Sequence, residues 1–293
     1  MRSLCLGLAF STLMAFGPSA QAGERAFTPG DGAAISHLQC GVKDLSPAEV
    51  EEVERMADEA FRLRGFPEAG AEVVIPVAFH VISKGESERE GNVPESMLDD
   101  QIDALNIAYA DMGVTFTKAS VDRTVNSRWY SMIPGMPSES QAKKALVIDA
   151  QTTFNVYTAS PGLGLLGWAT WPWKLGMSPE MDGVVMHNET LPGGAYQSYN
   201  EGDTLVHEAG HWMGLYHTFQ GGCSGGGDKV DDTPAEASAT SGCPKNKDTC
   251  PGGGEDPIEN FMDYSDDDCM FEFSNGQVDR ALGMSGLFRR DMF

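Results

Sequence analysis

The chain is short of positive charge: 20 lysines and arginines stand against 43 aspartates and glutamates in 293 residues, a formal charge of −23. A surface of that sign repels phosphate backbones and anionic lipid, so neither nucleic acid nor a membrane is an expected partner. Beyond the first 22 residues there is no apolar run of the roughly 18 residues that a bilayer-spanning helix needs. Internal repeats are absent, as are cysteines in C-x-x-C pairs, which excludes a zinc ribbon, and the spacing of an EF-hand loop. Histidine is scarce at six residues, yet three of the six fall within eleven positions.

What is present begins with a signal peptide over residues 1–22: Arg2 is the charged start, 4–16 the apolar run, and Ala20-Gln21-Ala22 the small-x-small cleavage site. The product is therefore expected to be secreted and extracellular. Residues 45–64 read as an amphipathic helix, with Ser46 as N-cap, Pro47 in the first turn and Glu49 closing a Ser-x-x-Glu capping box. The β-branched run 73–82 predicts a first strand, 94–109 a helix, and 114–129, 154–157 and 184–186 further strands. Strand, helix, strand order predicts an α/β (α+β) fold, a mixed twisted sheet with packed helices. From 221 to 254 glycine, proline, aspartate and cysteine predominate with little periodicity, predicting an irregular lobe, and 274–290 reads as a closing helix.

His207-Glu208-Ala209-Gly210-His211-Trp212-Met213-Gly214-Leu215-Tyr216-His217 spells H-E-x-x-H-x-x-G-x-x-H. Four residues apart on a helix, His207 and His211 share a face where both imidazoles reach one Zn2+. Glu208 lies about 100° round the helix, beside the metal, where a carboxylate can act as general base on water. Gly214 can take positive φ and turn the chain back, so that His217 arrives as the third ligand and a fourth position stays open for catalysis. His37, His80 and His187 have no ligand-like spacing and read as ordinary surface or strand histidines.

With Asn260-Phe261-Met262-Asp263-Tyr264 downstream, the motif resembles the metzincin metallopeptidases, and within them the pappalysin (M43) family, especially its ulilysin-like and small fungal-type members. The segments 167–172 and 228–234 are similar to that family as well, so the resemblance runs from about Val73 to Phe273. It implies a metzincin-like sheet with an active-site helix, Met262 in a Met-turn beneath the metal, and Tyr264 as an oxyanion stabiliser or swinging ligand; a core tyrosine is the other reading of Tyr264. Residues 165–171 read either as an edge strand that pairs with extended substrate or as a buried aromatic strand. The expected organisation is a propeptide over 23–64 and a catalytic domain over 65–293, divided at 214/215 into an N-terminal and a C-terminal lobe, in a monomer.

Four cysteines cluster in the irregular lobe and, in a secreted chain, predict two disulfides in one of three pairings. The family resemblance implies Cys223 with Cys250 and Cys243 with Cys269. Cys40 is left over. It is either a free or intermolecularly paired thiol, or the latent form's zinc ligand in a cysteine switch, whose Cys-Gly-Val core residues 40–42 resemble. Asp228, Asp231, Asp232 and Thr233 offer oxygen ligands for Ca2+, or else form a solvated acidic loop. Asn188-Glu189-Thr190 is the only glycosylation sequon. The function expected is a secreted zinc endopeptidase acting on protein or peptide substrates and made as a zymogen. A secreted calcium-binding adhesion or structural protein with a non-catalytic zinc site is the alternative, and intact Glu208 speaks against it; a zinc hydrolase of non-peptide amides is a third reading.

Overall fold

The run Val73–Ser83 becomes a strand whose last seven residues are all buried, as a strand covered on both faces requires. The computed structural model describes residues 39–64, 73–223 and 227–293; the expected signal peptide, the start of the expected propeptide and the linker 65–72 lie outside them. In chain order the elements are β1 (Gln39–Cys40), α1 (Pro47–Arg64), β2 (Val73–Ser83), α2 (Glu95–Ala108), β3 (Val114–Val125), α3 (Ser127–Tyr130), α4 (Pro137–Leu146), β4 (Phe154–Ala159), β5 (Leu165–Ala169), β6 (Val184–His187), α5 (Asp203–Trp212) and α6 (Asn275–Phe288). The strands form one sheet in the order β1-β5-β6-β4-β2-β3. All neighbours are parallel except β5 and β6.

One apolar cluster joins Phe79, Leu98, Leu105, Phe154, Val206 and Trp212, packing α2 and α5 against the sheet. A second, with Tyr130, Met132, Ala142, Tyr157 and Trp168, brings α3 and α4 together with the strands. A third buries Val50, Val53 and Ala57 of α1 against Trp173, Tyr216, Met284 and Leu287. The α1 start is as expected: Ser46 N donates to Glu49 Oε2 at 2.8 Å, and Glu49 N to Ser46 Oγ at 3.4 Å.

Two expectations need correction. The strand predicted over 114–129 ends at Val125 because Asn126 accepts from the N–H groups of Arg128 and Trp129 and caps α3. The sequence reading also passed over α4, a short helix whose buried Glu139 and Lys143 hide its amphipathic pattern. The lobe from 215 to 266 has neither α-helix nor strand among its described residues, as composition predicted for 221–254. Disulfides Cys223–Cys250 and Cys243–Cys269 hold it, the pairing that the resemblance implied.

Candidate active site

Every residue of α5 from Thr204 to Trp212 is buried. Three ring nitrogens on and after it are committed to acceptors: His207 Nδ1 donates to Phe261 O, His211 Nδ1 to Leu215 O and His217 Nδ1 to Asp44 Oδ1, each at 2.7 Å. With the protons on Nδ1, the three Nε2 atoms present only lone pairs, and they face one another at 3.1 and 3.0 Å. Lone pairs at that distance repel unless a cation lies between them, and Nδ1 bonds of this kind orient imidazoles for a metal. Burial keeps the rings neutral, pushing His207 down to about 4 and His211 and His217 well below the usual range. The three Nε2 atoms and Cys40 Sγ lie within 4.8 Å of one another, a donor set that fits tetrahedral zinc.

Local backbone chemistry brings the third histidine round. Gly214, at φ 101°, closes the end of α5: its N–H returns to His211 O at 2.9 Å, and Leu215 N reaches Gly210 O at 2.9 Å. That is a Schellman termination, which needs a residue free to adopt a left-handed conformation. Gly210 serves a different purpose, since a Cβ there would fall 2.4 Å from Met262 Sδ. Met262 is thus packed directly beneath the helix turn that carries His207 and His211. Its loop is shaped by Asn260, whose Oδ1 accepts from Met262 N at 2.9 Å and whose Nδ2 donates to Gln277 Oε1 at 2.7 Å. Tyr264 follows, with its hydroxyl 3.2 Å from His217 Nε2, so the phenol stands beside the histidine cluster.

Glu208 is fully buried, and its Oε2 has no hydrogen-bond partner in the protein. Burial pushes its carboxyl up to about 8, while a bond from the Cys40 thiol acts in the opposite direction. The carboxyl faces a cavity lined also by Leu166, Tyr199, Asp203, Thr204, Ser265, Asp267 and Met270. Strand β5 runs beside it so closely that a Cβ on Gly167 would meet Glu208 Cγ at 2.9 Å. The outer edge of β5 is covered by β1, which runs parallel to it, with Gly41 N donating to Gly167 O at 2.6 Å. The segment 39–44 therefore lies across the cleft, bringing Cys40 and Asp44 to the histidines.

Other sequence candidates go elsewhere. Both Asp228 oxygens accept from Thr233 Oγ1, at 2.9 and 2.8 Å, and Asp232 accepts from Ser274 Oγ and Gly276 N at the start of α6. Asp231 is exposed, and among the described residues these aspartates do not form a metal-sized cluster. Asn188 is 2% exposed and sits 3.5 Å from the Tyr130 hydroxyl, so the glycosylation expectation fails on burial: a glycan has no room there. His80 and His187 are buried in strands rather than on the surface, and His37 lies outside the described residues. The sequence reading missed Asp44, for which no spacing rule exists, and the acids Asp203 and Asp267 of the cavity, which 64 residues of chain separate.

Comparison with known proteins agrees with this geometry. Residues 144–285 match the peptidase M43 family, described as pregnancy-associated plasma protein-A. Extracellular metalloprotease 1 of Coccidioides posadasii is 38% identical over 287 residues, spanning 97% of this chain and 96% of that one. An extracellular metalloprotease of Sordaria macrospora is 40% identical over 261 residues, with 87% and 90% covered. Mature mirolysin of Tannerella forsythia, in complex with a cleaved peptide, shares the fold at TM-score 0.64 and 26% identity, over 76% of this chain and 96% of its own. Among the described residues no helix is long and apolar enough to cross a membrane. The chain belongs to the pappalysin (M43) family of metallopeptidases and is a metalloprotease of that family.

Proposed function

We propose that the protein is a secreted zinc endopeptidase, made as a zymogen, in which Glu208 is the general base. The observation that carries this reading is the arrangement at α5: three Nε2 lone pairs converge on one point, and beside them stands a buried carboxyl with an oxygen that nothing in the protein engages. A structural metal site has no use for such a carboxyl. His207, His211 and His217 would hold the zinc, which when bound would supply Lewis acidity to the scissile carbonyl and lower the pKa of water to about 7. Glu208 takes the proton of the attacking water and hands it to the leaving nitrogen, a task for which its unengaged Oε2 beside the three histidines is placed. The Tyr264 hydroxyl, 3.2 Å from His217 Nε2, donates to the oxyanion as the carbonyl becomes tetrahedral. Met262 supplies the apolar floor and takes no part in the chemistry.

Substrate lies extended along β5 once β1 has left, pairing through main-chain hydrogen bonds. The neighbouring cavity then receives one side chain, and Asp203 and Asp267 on its wall, which burial holds protonated while it is empty, would become the counter-charges of one that ends in a positive charge. In the unprocessed chain Cys40 would complete the donor set with the three histidines, and the segment 39–44 fills the cleft. Secretion rests on the signal-like residues 1–22 and on the relatives' description as extracellular. The Asp228 loop makes its bonds within the protein, so calcium is not part of this reading. A peptide library digested by protein freed of its first 64 residues, with chelation and zinc restoration as controls, tests the reading. Zinc-dependent internal cleavage ahead of Arg or Lys is expected; metal-replete protein that cleaves nothing contradicts it.

A further inference from the structure

The segment 236–263 contains no α-helix or strand among the described residues, yet it buries three carboxyl groups: Glu236 at 0%, Asp263 at 1% and Asp256 at 3% exposure. Like charges removed from water require a positive partner. Lys247 provides it. Its Nζ lies 2.5 Å from Glu236 Oε1, 2.7 Å from Ser238 O, 2.9 Å from Thr240 Oγ1 and 3.1 Å from Asp256 Oδ2. Two carboxylates, a carbonyl and a hydroxyl around one cationic centre make the oxygen set that proteins use for calcium. Here the cation is a side chain of the protein itself. Among the described residues, no other lysine or arginine pairs with Glu236 or Asp256.

The remaining carboxylate oxygens extend the cage to the active site and to the loop wall. Glu236 Oε2 accepts from Thr218 Oγ1 at 2.8 Å, and Thr218, next to His217, donates its N–H to Met262 O at 3.2 Å. Thr240 N donates to Asp263 Oδ1 at 2.8 Å, one residue past Met262. Asp256 Oδ1 accepts from Thr249 N at 2.9 Å. Against burial, the bond to Glu236 holds the Lys247 ammonium above its usual range. Cys243 and Cys250, bonded to Cys269 and Cys223, flank Lys247 in sequence, so the ammonium pins the centre of a loop whose two ends are covalently tied.

We propose that Lys247 is a tethered structural cation, holding the lobe closed in the manner of a bound metal ion and fixing, through Thr218 and Thr240, the third zinc ligand and the Met-turn. Removing the ammonium leaves two facing carboxylates that a small free cation can re-enter. The test is thermal unfolding of the full chain carrying Lys247→Ala or Lys247→Met, followed by circular dichroism in ammonium, calcium or tetramethylammonium chloride at matched ionic strength. Both variants are expected to melt roughly 6–20 °C below wild type in tetramethylammonium, which is too large for the cage. Ammonium or calcium should recover at least half of that loss in Lys247→Ala and leave wild type unmoved, whereas Lys247→Met, whose side chain fills the space, stays low. Either variant melting with wild type, or a Lys247→Ala loss that neither cation reduces, overturns the proposal. If Lys247→Ala does not fold, Lys247→Met with Glu236→Gln decides: removing one charge of each sign should raise the midpoint above that of Lys247→Met alone, and no gain overturns the proposal. None of these readouts uses peptidase activity, so their failure leaves the hydrolytic reading intact.

Discussion

His217 Nδ1 donates to Asp44 Oδ1 at 2.7 Å, across 173 residues of sequence. His217 is thus oriented by a carboxylate of the segment that also carries Cys40, whereas His207 and His211 are oriented by the carbonyls of Phe261 and Leu215. On the proposed reading, loss of that segment would take a thiol from beside the three histidines and an acceptor from the far side of one of them in a single event.

Latency should therefore depend on Cys40 and be reinforced by Asp44. Cys40→Ser replaces a thiolate ligand with a far weaker hydroxyl, and its precursor should cleave peptides and itself without activation. Asp44→Ala should give a precursor that mercurial thiol reagents activate faster than wild type, because the segment has lost one of its attachments. Assays of unprocessed protein check both; a Cys40→Ser precursor as silent as wild type would assign latency to the strand pairing of β1 alone.

Gly210→Ala places a methyl where Met262 Sδ now packs, 2.4 Å from the ideal Cβ position. The thioether must move, and the overpacking should cost about 1–3 kcal/mol in unfolding free energy. Zinc retention should fall with it, because Phe261, the acceptor for His207, precedes Met262. Denaturant melts of Gly210→Ala with and without Met262→Ala decide: the second change should return part of the loss, and additive losses would mean that the two residues do not press on each other.

Burial pushes the carboxyl of Asp203 up to about 8 and, in the same cavity, that of Asp267 up to about 7. The unfolded chain has released these protons by about pH 4, so the native state holds more protons and its stability should fall as pH rises from about 4 to 8. Asp203→Asn removes part of that slope. Relative to wild type, the variant's melting temperature should be higher at pH 8 than at pH 5; curves that run parallel across the range would show that Asp203 is ionised in the native protein throughout.

How much of this was legible in the sequence follows from the range of the interactions. The zinc helix, its glycine termination and the α1 capping box are set by contacts within a few residues, and they stand where spacing rules place them. The end of β3 was misread because Asn126 acts through a side-chain cap while the residues after it, through Trp129, keep a strand-like composition. Asp44, the Asp203–Asp267 cavity and the Lys247 cage join positions far apart in a chain with many acids, so no local pattern distinguishes them from solvated carboxylates. Asn188 shows the converse: a three-residue sequon says nothing about burial, and tertiary packing decided against it.

The most direct test of the central claim is the paired measurement of zinc content and peptide hydrolysis in processed Glu208→Ala. If Glu208 carries the proton and His207, His211 and His217 carry the metal, the variant should keep about one zinc per chain while its kcat falls by about 10²-fold or more. His211→Ala should lose zinc and activity together. Zinc-replete Glu208→Ala that hydrolyses peptides at close to the wild-type rate would contradict the assignment of Glu208 as the general base.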